Sequence, residues 1–236
     1  MNDTKKVCLV TGASSGIGFG IAGELHKNGY RVVATARRRD RLLKLGLSPE
    51  DIHAGDLTDL SFMKTLEDYV FNTCDHCDYL FNCAGSITVG TIDEMDLEKM
   101  SRMIRLNIEA TFQLTYSFLK QFKKQGYGHI VNISSVLGTK VRATAGAYAA
   151  TKFAIEALSE ALRLELTGTD IQVTCIEPGL VMTELHKDWP VHPREGMNIK
   201  DPLEVKNIVD AVNYIMDQPA HVRIPKLMIL PKDHNI

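Results

Sequence analysis

Apolar residues fall along this chain in short continuous runs, separated by longer stretches with helical spacing. KKVCLVTG reads as a first strand that stops at a glycine turn. SSGIGFGIAGELHKNGY follows, with Ile17, Ile21, Ala22 and Leu25 at the intervals of one helix face and Asn28-Gly29 as the stop. RVVATA is the next strand, RDRLLKLG a short helix, and DIHAGDL a third strand. LSFMKTLEDYVFN is an amphipathic helix, CDYLFNCAG a fourth strand with another glycine turn, and the residues from Asp96 to Gln125 are helical almost throughout. GHIVNISS gives a fifth strand, Gly146 to Leu166 a long helix, and DIQVTCIEPG a sixth strand. Beyond an irregular stretch at about 180–202, EVKNIVDAVNYIMD is the last helix and PKLMILP the last strand.

Strands that alternate with helices from end to end imply βαβ units and a parallel sheet. The strands are apolar throughout rather than alternating, as a sheet covered on both faces requires. The expected fold is therefore α/β and doubly wound. No repeat, low-complexity tract or linker interrupts it, so residues 1–236 are expected to form one domain.

Composition adds mainly exclusions. A chain with 44% hydrophobic and 24% charged residues is expected to pack a core. The net charge is −2 and no long basic block occurs, so nucleic acid is not an expected partner. No run approaches the roughly 20 apolar residues of a membrane helix. The N-terminal apolar run gives way at once to the glycine turn, unlike a signal peptide, so the expected compartment is the cytoplasm. Five cysteines (Cys8, Cys74, Cys77, Cys83, Cys175) are an odd set for a disulfide framework. Cys74 and Cys77 have zinc-knuckle spacing, but no second knuckle is present. They read as two reduced thiols at a helix end or loop, and no metal site is expected.

The first glycine turn, TGASSGIG, carries more. Gly12, Gly16 and Gly18 suit a tight turn, close approach of backbone to a pyrophosphate, and close packing of helix on strand. The helix that begins at Ile17 points free N–H groups at such phosphates, and Ser14 and Ser15 add hydroxyl donors. The spacing is G-x-x-x-G-x-G, and on its own it also suits a loop needed only for βα packing. Tyr148 and Lys152 pose a similar choice. Four residues apart, they are neighbours on a helix face. They could form a catalytic pair, or they could begin a solvent-facing stripe with Glu156, Ser159 and Arg163.

Several motifs in order resemble the short-chain dehydrogenase/reductase (SDR) family, over nearly the whole chain. They are TGASSGIG, the pair Asp56-Leu57, NCAG from Asn82 through Ala84 and Gly85, Asn107 in IRLNIEATF, NISS ending at Ser135, YAATK, and PGLVMT from Pro178 to Thr183. Ser135 precedes Tyr148 by thirteen residues, an interval like the family's. The resemblance implies a sheet of seven parallel strands, a nicotinamide cofactor and carbonyl–alcohol redox chemistry. Asp56 and Leu57 would meet the adenine, and Pro178, Gly179, Val181 and Thr183 the nicotinamide end. Cys83 departs from the family's second asparagine and is expected to pack as a small hydrophobe. Glu156 and Arg163 keep a surface or interface reading.

In such folds the end of the second strand meets the adenosine ribose. Ala36 stands there in place of an acidic residue, and Arg37 and Arg38 follow. A guanidinium fork matches a 2′-phosphate, so NADP(H) is expected over NAD(H), with Arg37 the main contact. For the chemistry, the resemblance assigns proton transfer to Tyr148. Lys152 would lower the tyrosine's pKa and hold the ribose, Ser135 would bind the substrate oxygen, and Asn107 would hold a relay water. A small alcohol or carbonyl compound is the expected substrate. Ser86, Leu137 and Val181 are expected around it, together with Leu185, His186, Trp189 and His192 of the 180–202 loop. Trp189 could instead only anchor that loop, and His192 could be exposed. IEPGLV and the tail PAHVRIPKLMILP resemble bacterial NADP-dependent dehydrogenases of serine-like and other small 3-hydroxy acids. The resemblance also implies a homodimer or homotetramer through the two long helices beside the fifth strand. The alternative function is a non-enzymatic NADP-binding regulator on the same fold.

Overall fold

The computed structural model describes residues 5–187, 189, 191 and 193–236; His192 lies outside them. Seven strands form one sheet: β1 (Val7–Thr11), β2 (Arg31–Ala36), β3 (Ile52–Ala54), β4 (Tyr79–Asn82), β5 (Tyr127–Ile133), β6 (Asp170–Pro178) and β7 (Lys226–Ile229). Every pairing is parallel, in the order β3-β2-β1-β4-β5-β6-β7. The chain builds outward from β1 to β3, crosses back, and builds the other way from β4. The C-terminal ends of β1 and β4 therefore diverge at a topological switch point, where such sheets bind ligands.

Helices cover both faces: α1 (Gly16–Lys27), α2 (Arg39–Leu42), α3 (Leu60–Thr73), α4 (Leu97–Ile104), α5 (Thr111–Gln125), α6 (Gly146–Glu165), α7 (Pro193–Gly196) and α8 (Val205–Met216). Successive strand residues point to opposite faces, and both faces are dry. Val7, Leu9, Leu80 and Ile130 pack with Leu66 of α3, Phe118 and Phe122 of α5, and Leu162 of α6. Cys8, Val10, Phe81 and Val131 pack with Ile21 and Leu25 of α1, Leu42 of α2, and Ile208 and Val212 of α8. This two-sided burial is why the strands are apolar throughout.

Three details differ from the sequence reading. The helix expected from Asp96 to Gln125 is broken by a π-helical turn at Arg105–Ala110 that holds Asn107. The 180–202 loop is not wholly irregular: it contains α7 and a short turn at Glu184–His186, and Val181 bridges to Leu203 at its base. Glu156 is not at the surface. Arg163 does pair with Glu160 at the exterior, but Glu156 is buried beside the fully buried Glu177 of β6. Lys226 reaches in from β7, with Nζ 3.0 Å from each of the two carboxylates. A helical wheel alone could not show that the sheet edge closes over this face of α6.

All five cysteines are free, and Cys74 caps the end of α3. Among the described residues no cluster of His, Cys, Asp or Glu is arranged to hold a metal ion. No helix among them is long and apolar enough to cross a membrane.

Candidate active site

One groove of about 970 Å³ runs across the C-terminal ends of the strands at the switch point. Its floor is the first glycine turn. Gly12 has φ +65°, and a Cβ there would lie 2.8 Å from the backbone of Ala84, so only glycine fits without displacement. The two loops are stitched together by Thr11, whose Oγ1 accepts from the N–H groups of Cys83 and Ala84 at 3.0 Å each. A Cβ on Gly18 would lie 2.7 Å from the carbonyl oxygen of Gly12, which is how tightly α1 packs on the turn. Ser15 caps α1 without a side-chain bond to its N–H groups, and Gly16, Ile17 and Gly18 line the groove. This backbone cradle with free helix N–H groups suits a dinucleotide pyrophosphate.

At one end of the groove the loop after β2 presents Arg37 and Arg38. Arg37 is exposed, whereas Arg38 turns inward. Its Nη2 donates to Ser15 Oγ at 2.7 Å and to Ser14 Oγ at 3.1 Å, and its Nε to Ser14 Oγ at 3.2 Å. The arginine that meets the serines is thus Arg38, while Arg37, favoured from sequence for the 2′-phosphate, stays exposed at the same end of the groove. Asp56 and Leu57 line the same end just past β3, where Asp56 accepts from Thr58 in a turn that ends the strand.

At the other end stand Ser135, Tyr148 and Lys152. Ser135 follows β5 with extended backbone, and its Oγ accepts from the N–H of Leu137 at 3.1 Å. Tyr148 lies in the first turn of α6, buried against Met103, Val136 and Leu137. Burial pushes its pKa up to about 12, partly offset by a hydrogen bond with Ser135. The Nζ of Lys152 lies 5.8 Å from the Tyr148 ring centroid and donates to the Ile133 carbonyl at 2.9 Å. Burial lowers the Lys152 pKa to about 8, against the opposing influence of Cys175, Cys83 and Glu156.

Two expected residues brace the site from behind rather than line it. Asn107 gives Nδ2 to the Ser86 carbonyl at 2.9 Å and to Thr151 Oγ1 at 3.2 Å, and accepts from the Ser86 N–H at 2.9 Å. Asn82 donates to Asn132 at 2.9 Å and Thr115 at 3.0 Å, tying β4 to β5 and α5. Gly85 separates Asn107 from Lys152, since a Cβ there would lie 3.4 Å from Oδ1 of the first and 3.9 Å from Nζ of the second.

Ala84, Ser86, Leu137, Pro178, Gly179, Val181, Thr183, Leu185 and His186 all reach the groove. Trp189 is not among its lining residues: its ring packs edge-on against His186 of the same loop, with centroids 5.0 Å apart. Cys83 is half-buried and packs against the core. The groove also takes in Arg142, Glu184, Met197, His234 and Ile236, which the sequence reading missed. These come from a turn, the far loop and the tail, and no periodicity or motif marks them.

A sequence model described as short chain dehydrogenase matches residues 6–193. An uncharacterized oxidoreductase of Staphylococcus epidermidis is 35% identical over 230 residues, covering 96% of this chain and 97% of the relative. Among solved structures, a serine dehydrogenase in its closed form with NADP+ superposes with a TM-score of 0.89 at 29% identity, covering 98% of this chain and 96% of that one. An alcohol dehydrogenase from the archaeon Thermococcus sibiricus, complexed with 5-hydroxy-NADP, gives 0.86 at 27% identity over 98% and 99% of the two chains. The doubly wound sheet, the groove at its switch point and these matches agree: the chain belongs to the short-chain dehydrogenase family.

Proposed function

We propose that this protein is an NADP(H)-dependent oxidoreductase acting on a small alcohol or carbonyl compound, with Tyr148 as general acid and base. The carrying observation is one groove with Ser135, Tyr148 and Lys152 at one end, Arg37 and Arg38 at the other, and the glycine cradle between them. The cradle suits the pyrophosphate, and Arg38 with Ser14 and Ser15 suits a 2′-phosphate. The bound nicotinamide supplies or accepts the hydride.

The chain's own residues handle the proton and the orientation. For carbonyl reduction, Tyr148 Oη gives its proton to the substrate oxygen, and the Ser135 hydroxyl donates to the same oxygen as charge develops on it. A phenol held near 12 keeps that proton at neutral pH, the state a reductase needs. For alcohol oxidation Tyr148 must lose it, and the adjacent Lys152 ammonium favours the phenolate. The side chain of Asn107 is spent on Ser86 and Thr151. Its share in a proton relay is therefore assigned to its main chain, which lies in the π-helical turn Arg105–Ala110.

A small hydroxy acid or keto acid is the substrate class that fits best. Arg142 lines the catalytic end of the groove, and its guanidinium donates to the weak acceptor Met197 Sδ at 2.9 Å. A substrate carboxylate suits that guanidinium, and serine dehydrogenase is among the structural neighbours. A homodimer or homotetramer is supported by α5 and α6, which leave Tyr116, Phe153 and Leu164 exposed. The five free thiols suit a reducing compartment such as the cytoplasm. The test is consumption of NADPH and NADH with a panel of keto acids, ketones and aldehydes, and the reverse reaction with hydroxy acids and alcohols. NADPH oxidation with at least one keto acid is expected. Absence of turnover in both directions with every compound returns the protein to the regulator reading.

A further inference from the structure

One charge contact at the groove is not used by the chemistry above. Glu184, in the turn after β6, accepts from Arg38 Nη1 at 2.8 Å and from Arg41 Nη1 at 3.1 Å. Nε and Nη2 of Arg38 donate to Ser14 and Ser15. The guanidinium that faces the adenosine end is therefore already engaged, by two hydroxyls on one side and a carboxylate on the other. The contact joins loops more than 140 positions apart in sequence, at separations of 146 and 143 residues. The adjacent Thr183 stands over the same cradle: a Cβ on Gly16 would meet its methyl group at 3.2 Å.

We infer that Glu184 is a cofactor-specificity residue: its carboxylate competes with a 2′-phosphate for Arg38 and Arg41, and so limits how strongly the chain prefers NADP(H) over NAD(H). This rests on the proposal that the arginine end of the groove takes the 2′-phosphate. A phosphate dianion reaching Arg38 must displace Glu184 or sit beside it, and either costs binding free energy. A 2′-hydroxyl carries no charge and meets no such opposition. Side chains of Arg38 and Glu184 are about equally exposed, at 40% and 38%, so the competition is that of a half-screened ion pair rather than a buried one. Glu184 acts on selectivity and not on the reacting atoms, which lie at the opposite end of the groove.

The test is calorimetric binding of 2′,5′-ADP and 5′-AMP, fragments that differ in the 2′-phosphate and need no turnover. Wild type, Glu184→Gln and Arg38→Ala are compared at low and at physiological salt. Wild type is expected to prefer 2′,5′-ADP. Glu184→Gln is expected to raise that preference about fivefold, the worth of an exposed ion pair, with 5′-AMP binding unchanged and a smaller effect in high salt. Arg38→Ala is expected to lower the preference. A wild type without preference for 2′,5′-ADP overturns both this inference and the NADP(H) reading beneath it. A wild type that prefers 2′,5′-ADP, joined to a Glu184→Gln variant that gains nothing, weakens, or tightens both fragments equally, overturns the competition alone.

Discussion

Replacing Lys226 by methionine isolates the buried charge cluster beneath the site. Glu177 is fully buried and Glu156 nearly so, and Lys226 Nζ stands 3.0 Å from one oxygen of each. None of the four carboxylate oxygens has a well-aligned hydrogen bond among the described residues. Methionine keeps most of the lysine stem and removes the charge. Breaking a fully buried pair costs about 3–5 kcal/mol and losing an exposed one under about 1 kcal/mol. Lys226 is 47% exposed, between these limits, so a loss of roughly 2 kcal/mol at pH 8 is expected. That corresponds to about 4–8 °C in Tm for a chain of this size.

The pH dependence separates charge from packing. Burial raises the Glu177 pKa above its ordinary value, Lys226 lowers it, and Glu156 raises it again. Between the unfolded and folded pKa values the native chain binds more protons than the unfolded chain, so stability falls as pH rises through that window. Without Lys226 the folded pKa climbs further and the deficit widens with pH. Urea denaturation of both proteins at pH 8 and pH 5.5 reads this directly. The variant is expected to lose clearly less at pH 5.5 than at pH 8. An equal loss at both, or none at either, refutes the charge account.

Other consequences follow from the same geometry. Gly12→Ala places a methyl group 2.8 Å from the Ala84 backbone at φ +65°, so a loss of about 2–4 kcal/mol in urea denaturation is expected, together with weakened cofactor binding. A denaturation midpoint equal to wild type contradicts this. With burial lowering the Lys152 pKa to about 8, its ammonium is lost as pH rises past that value. The rate is then expected to fall on the alkaline side, and a profile that stays level well above that pH removes the role given to Lys152. Phe153→Glu, on the exposed face of α6, is expected to shift a wild-type oligomer toward monomer in light scattering. A wild-type monomer removes the premise.

The doubly wound sheet was legible because its strands are short apolar runs with helical periods between them, a pattern that only two-sided burial demands. The glycine turn was legible too, since Gly12, Gly16 and Gly18 follow a strand and open a helix. Less was readable wherever position depends on a fold contact with no sequence period. Arg37 and Arg38 are adjacent and alike in sequence, yet only the path of the loop after β2 turns Arg38 toward the serines. Glu156 looked like part of a solvent stripe because nothing on α6 records that β7 delivers a lysine beside it. Trp189 and Arg142 show the same limit: the first, expected at the substrate, packs on its own loop, and the second, unmarked in sequence, is carried to the groove by the turn before α6.

In the proposed mechanism Tyr148 moves the proton while the rest of the groove holds the cofactor. Tyr148→Phe removes one oxygen from a buried ring and leaves Lys152, Ser135 and the glycine cradle in place. NADPH affinity by fluorescence titration and turnover on the best substrate of the panel are measured on the same preparation. The expected result is NADPH binding within about twofold of wild type and a turnover loss of at least a hundredfold, the contribution of general acid–base catalysis. Binding retained with turnover also retained contradicts the assignment of Tyr148.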